Sequence, residues 1–198
     1  MLMRIFLIVL ILIINFQSLT KADDVIEFEI EGISIGNSVL DYFSKNELSN
    51  FSRQFYPSSD EYQGVEISKI KNNMNFSTYD SITLNWKKND KKMKIVAVSG
   101  IKLYPNNLTT CLKDRDKIAL DVKNILKSSK EERYEMNFGE LNDSVSYAID
   151  LKIDTGSIRI WCTDWDEKSE TQNNWEDDLN VSIDTNEFIF WLDNVAYK

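Results

Sequence analysis

Histidine is absent from all 198 residues, and that absence decides most of the chemistry open to this chain. Without an imidazole there is no Ser-His-Asp or Cys-His relay, no His-ligated zinc and no His-based pH switch. The groups that remain are 32 carboxylates, two cysteines and five tryptophans. Carboxylates are densest where Asp164, Asp166, Glu167, Glu170, Glu176, Asp177 and Asp178 crowd one stretch. Several oxygens in a short span suit a hard cation such as Ca²⁺, but the run lacks the glycine and glutamate spacing of an EF-hand loop. A solvated acidic loop is the expectation, with no metal site and no cofactor. Paired carboxylates also hydrolyse glycosides. Among 32 acids, however, a chance pair is always at hand, so no catalytic residue is assigned.

Trp161, Trp165 and Trp175 flank or sit within the same acidic stretch. Aromatic rings beside acids make platforms for sugars or cationic ligands. Alternation over 158–163 puts Ile158, Ile160 and Cys162 on one face of a strand and Arg159, Trp161 and Thr163 on the other. That second face, with Asp164, Trp165 and Asp166 beside it, is the candidate ligand or partner surface. The competing expectation is that Trp161 packs beneath the acidic loop or a C-terminal helix.

The elements that must position these groups follow from periodicity. Residues 107–127 carry apolar side chains at helical spacing, through Leu108, Cys111, Leu112, Ile118, Ala119, Val122, Ile125 and Leu126. Arg115 interrupts the stripe. Either its stem packs while the guanidinium snorkels outward, or it enters a buried ion pair or anion site. Cys111 on the stripe and Cys162 on the apolar strand face point into the same layer, so a Cys111–Cys162 disulfide is expected.

Strands are expected at 64–69, 81–86, 93–103, 145–153, 158–163 and 179–183, and the stretch before Gly32 also alternates like one. Asp154-Thr155-Gly156-Ser157 reads as a hairpin turn, with Gly156 supplying positive φ. Ser44 and Glu47 form a capping-box pattern, Asn37 or Ser38 can cap a shorter helix, and Thr185 caps a C-terminal helix over 186–196. The fold class is therefore α+β: a mainly antiparallel sheet, with the long central helix and the C-terminal helix packed on one face. Each half runs helix then β-meander, which suggests a degenerate duplication. Six glycines and two prolines provide no linker, so residues 23–198 read as a single domain.

Residues 1–22 read as a secretory signal peptide. Arg4 supplies the positive charge, residues 5–14 (IFLIVLILII) the apolar run, and Thr20-Lys21-Ala22 the small residues before a cut at Asp23. An apolar run of ten is too short for a span of about 20, so no stable membrane span is expected after cleavage. A formal net charge of −9 opposes nucleic acid and anionic membranes as partners.

The segments FEIEGISIGNSVLDYF, NLTTCLKDRDKIALDVKNIL and GSIRIWCTDW resemble a group of small exported proteins of marine alphaproteobacteria with no assigned activity. The resemblance implies a bacterial source and a periplasmic or extracellular location, and it transfers no functional residue. Together these features point to an exported, non-catalytic protein that binds a protein, an envelope component or a small ligand. The alternative is a small hydrolase working with carboxylates alone. N-terminal sequencing of the exported protein should begin at Asp23 and read DDVIEF; a chain retaining Met1 in the membrane fraction would refute the cleavage.

Overall fold

The alternating segments come together as one eight-stranded antiparallel sheet in a computed structural model that describes residues 24–138 and 143–198. The expected signal peptide lies outside the described residues. The strands are β1 (Ser52–Arg53), β2 (Tyr62–Ser68), β3 (Ser81–Lys87), β4 (Ile95–Leu103), β5 (Lys130–Asn137), β6 (Val145–Ile153), β7 (Gly156–Asp164) and β8 (Asp178–Thr185). Their spatial order is β1-β2-β3-β4-β8-β7-β6-β5. Two meanders therefore meet last strand against last strand, and each is preceded by a helix. These helices are α1 (Lys45–Asn50) and α2 (Leu108–Ile125); α3 (Glu167–Asn173) and α4 (Asn186–Trp191) complete the set. The α+β class is the one the sequence implies.

Register makes the two faces of the sheet chemically different. On one face Val65, Leu84, Val98, Ile183, Ile158 and Leu151 are successive cross-strand partners across six strands. All six are essentially fully buried. Cys111, Ala119 and Leu126 of α2, Leu48 of α1, and Val25, Ile30, Ile33, Ile35 and Val39 of the N-terminal segment cover this face. Each full burial of this kind contributes roughly 1.5–3 kcal/mol, so this layer carries most of the folding free energy.

Local signals start the helices where the sequence places them. Ser44 and Glu47 close the expected box, with the Ser44 amide donating to Glu47 Oε2 at 2.8 Å. Asn107 caps α2 and Thr185 caps α4 through their side-chain oxygens. Ser38 caps a short 3₁₀ turn, Val39–Asp41.

The structure corrects three expectations. The C-terminal helix does not share a face with α2. Phe188 and Trp191 pack on Tyr62 and Ala97, whose side chains lie on the opposite side of the sheet. The residues before Gly32 form no strand, only a 3₁₀ turn, Val25–Glu27, and a single bridge between Ile30 and Ile33. Gly156 does not have positive φ. It is required because a Cβ there would sit 2.2 Å from the Asp184 carbonyl oxygen, so close strand approach, not turn geometry, selects it.

Arg115 resolves as a stem that packs and a head that bonds. Its side chain is only 12% exposed. Nη1 donates to the Tyr147 carbonyl at 3.1 Å, and Nη2 pairs with Asp116 at 2.8 Å.

Cys111 and Cys162 are bonded, with Cα atoms 6.0 Å apart, tying α2 to β7. The bridge spans 51 residues. Loop closure of that length removes unfolded-state entropy worth up to about 4 kcal/mol. A Cys111→Ala/Cys162→Ala variant should lose about 2–4 kcal/mol in denaturant unfolding yet keep native far-UV circular dichroism. A chain of this size can sustain a core without a cross-link, and an unchanged unfolding midpoint would contradict the stabilising role.

Candidate functional site

The second face of the sheet is polar where a covered face would be apolar. Glu66, Thr83, Ser99, Ser182, Arg159, Asp150 and Glu132 are successive cross-strand partners across seven strands. The neighbouring row runs Ser68, Ser81, Ile101, Asn180, Trp161, Ala148 and Tyr134. α4 covers one end of this face, where Trp191 meets Tyr56 edge-on and Tyr62 at a tilt, with ring centroids 4.8 and 4.7 Å away. The remainder is indented by two adjoining grooves that share Ile101. The smaller, about 260 Å³, lies beside α4 between Tyr56, Trp161 and Tyr197. The larger, about 590 Å³, runs between Ile70, Leu103, Trp165 and Trp175.

Buried polar groups in the floor are paired, as burial demands. Arg159 forms a two-point ion pair with Asp150, Nε to Oδ1 at 2.7 Å and Nη2 to Oδ2 at 3.0 Å. Tyr134 donates to the same carboxylate at 3.2 Å. Burial opposes the charge on Arg159, but the hydrogen bonds and charge of Asp150 outweigh it and raise the guanidinium pKa. Ser99 donates to Ser182, which donates to Asp184 Oδ1 at 2.8 Å. The Tyr56 hydroxyl donates to Asn85 Oδ1. Ser146 and Thr163 share a hydrogen bond at 2.9 Å.

Two carboxyls in this face hold protons more tightly than usual. Burial pushes Asp178 up to about 6, against hydrogen bonds from Trp165, Thr163 and Asn180. Burial also pushes Asp184 up to about 6, against the opposing effects of Ser182 and Arg159. They are six positions apart on β8, roughly 20 Å at strand rise.

The six residues singled out from sequence separate into three kinds. Trp161 and Trp165 are half-buried in groove walls, Trp161 in the smaller and Trp165 in the larger. Arg159 lines the smaller groove but is committed to Asp150, and Thr163 is buried at 2% exposure against Ser146. Neither is available as a free surface contact. Asp164 points to the other face of β7, opposite Val145, and its pKa is raised by burial and by Asp177. Asp166 caps α3, accepting from the Ser169 amide at 2.6 Å and the Asp143 amide at 2.8 Å. The expected acidic loop thus contains a helix, and its first acids are structural.

Sequence reading missed the Asp150–Arg159 pair, although the signal was present. A two-residue turn at Asp154-Thr155 makes these residues direct cross-strand partners. It also missed Glu66, Asp80 and Leu103 as groove residues, because only long-range pairing brings β2 and β4 beside α3. Trp165 is wedged between Phe138, at 5.0 Å, and Trp175, at 4.4 Å between centroids. Its indole N–H donates to Asp178 Oδ2 at 3.3 Å.

The chain matches no family model, and no curated protein or solved structure is significantly similar to it.

Asp184 makes stability pH-dependent with a defined sign. Its folded pKa, about 6, lies above the ordinary 3.8. The folded state therefore favours the protonated acid. The stabilisation this provides is complete below about pH 3.8 and lost as pH rises through 6. Asp184→Asn should gain stability relative to the native chain between pH 4 and pH 7, by at most about 3 kcal/mol. Melting temperatures of both proteins across that range check this. A difference that stays constant with pH would contradict a buried, titrating Asp184.

Proposed function

We propose that the protein is an exported, non-catalytic binding protein that holds its ligand in the grooves of the polar sheet face. The observation that carries this is the contrast between the two faces. One is sealed by two helices and the N-terminal segment, while the other keeps an indented, aromatic-walled surface whose floor carries the paired side chains Arg159 and Asp150 and the hydrogen-bonded Ser99 and Ser182. A rigid floor with adaptable aromatic walls is a common form of ligand site. The cystine supports an oxidising compartment, because such bridges persist outside the reducing cytosol. Among the described residues, no helix is long and apolar enough to cross a membrane.

Carboxylate hydrolysis is the second reading, favoured by the raised pKa values of Asp178 and Asp184. Their separation of roughly 20 Å far exceeds the ~5–9.5 Å between paired glycosidase carboxylates. Of the two acids whose charge opposes that of Asp184, Asp150 and Asp193, Asp150 is held by Arg159. Both oxygens of Asp178 already accept hydrogen bonds, from Trp165 and Asn180. Binding therefore accounts for these groups better than acid–base chemistry.

Amide chemical shifts during titration with a small-molecule fragment library test the reading. Perturbations should concentrate on Ile101, Trp161, Trp165 and Asn180, and a library whose hits scatter over the surface or fall on α2 would contradict it. Turnover of chromogenic glycosides or esters by the native chain, lost in Asp178→Asn, would replace binding by hydrolysis.

A further inference from the structure

Ile70, Leu103, Phe138 and Trp175 are large apolar side chains left exposed, and all four lie in or against the larger groove. Ile70 is 89% exposed and Trp175 44%. Such a concentration at one place needs an occupant, since scattered apolar residues are ordinary but a contiguous patch is not. The rings do not lie flat. Phe138 and Trp165 are tilted by 38°, and Trp165 and Trp175 by 48°. They form a folded wall.

The charge facing this wall is one-sided. Glu66, Asp80, Glu176 and Asp178 line the groove, with Lys71 the one basic side chain among its lining residues. Among the described residues, none of these four acids enters an ion pair. The contrast with β5 is instructive. There Glu131 and Glu132 are each bridged by two cations from Lys123, Lys130, Arg133 and Lys152. The protein pairs the acids of that edge with cations, whereas in the groove Asp80 and Asp178 accept only hydrogen bonds from Leu103, Trp165 and Asn180, and Glu66 and Glu176 have no ion-pair partner among the described residues.

We propose that the larger groove binds a small organic cation of the quaternary ammonium type, its alkylated head against the exposed ring of Trp175 and its charge balanced by the groove's carboxylates. This rests on the reading that the polar face holds a ligand. An alkylated ammonium suits both features at once: it is attracted to aromatic faces, and its methyl groups can contact Ile70 and Leu103. A metal ion fits less well. It needs converging oxygens, and among the described residues no three His, Cys, Asp or Glu side chains are placed to share one. A sugar fits less well too, because it stacks on an open flat ring and gains nothing from uncompensated negative charge. The groove's volume, about 590 Å³, falls within the range of small-molecule sites.

Titration of tryptophan fluorescence with tetramethylammonium and choline tests this, with 3,3-dimethylbutan-1-ol as choline's uncharged isostere and maltose as a neutral sugar. Saturable quenching by both cations is expected, with the isostere at least about tenfold weaker. Trp175→Ala and Glu176→Gln alter exposed side chains, so their melting temperatures should match the native chain while choline affinity falls several-fold. Equal binding of the isostere, preference for maltose, or no response to either cation at millimolar concentration would overturn the proposal. If fragments still perturb the groove in those cases, the binding reading stands and only the cation is refuted.

Discussion

The pairing of β4 with β8 joins two four-stranded meanders into one sheet, and the rest of the molecule depends on its register. Val98 faces Ile183 and Gly100 faces Val181 on the core side. Ser99 faces Ser182 on the polar side, with a 2.9 Å hydrogen bond between the hydroxyls. A slip of one residue would send both sets of side chains to the wrong faces. It would break the row from Val65 to Leu151 at its middle and leave Ser99 and Ser182 against α2 and the N-terminal segment. Neither meander alone offers a second covered layer of comparable size. The disulfide acts on the same joint from above, because it fixes α2 to β7, the strand next to β8.

The polar face is costly to maintain, and its cost is met by pairing. Asp150 is almost fully buried, and a lone charge there would be expelled or protonated. Arg159 makes the charge tolerable through two parallel hydrogen bonds. Ion pairs of this kind contribute little net stability compared with an apolar substitute, while breaking one costs about 3–5 kcal/mol. Among the described residues Asp184 enters no ion pair; burial outweighs the hydrogen bond from Ser182 and the more distant charge of Arg159, so it takes up a proton more readily than an ordinary carboxyl. An apolar filling would make a more stable sheet. What the polar floor supplies is a hydrogen-bonded surface that stays compatible with water.

Much of the fold was legible because burial is one-sided. β6 and β7 alternate cleanly, since every second residue enters the core, and Cys111 and Cys162 could be matched because each sits on an apolar period. β5 was not legible. It is an edge strand, Lys130–Asn137, with charges on both faces and no fully buried residue, as strands that avoid edge-to-edge pairing are. α3 escaped for a related reason: its only buried residue is Ser169. The site was half legible. Alternation correctly set Arg159, Trp161 and Thr163 apart from the core, but the far side of a wide sheet is not the same as solvent. The neighbouring strand β6 takes up both, Ser146 hydrogen-bonding Thr163 and Asp150 pairing with Arg159.

The placement of α4 explains why the two ends of the polar face differ. Its aromatic residues, Phe188 and Trp191, seal the side of Tyr62 and Ala97. The chain continues through a π-helical turn, Leu192–Ala196, that borders the smaller groove through Leu192, and Tyr197 follows in the same groove wall. The other end is bordered by the short helix α3 and the residues after it, which contribute Asn173, Asn174, Trp175 and Glu176 to the larger groove. α3 is two turns long, and Asn174 leaves it in the left-handed conformation, so Trp175 is delivered by a tight backbone reversal and not by a long packed helix. Such a segment contributes little core and is correspondingly cheap to vary. The two tasks are thereby separated along the chain. Stability is built into the apolar row and the cystine, and the binding proposed above falls to the short segment between β7 and β8, which can change without disturbing the register of either.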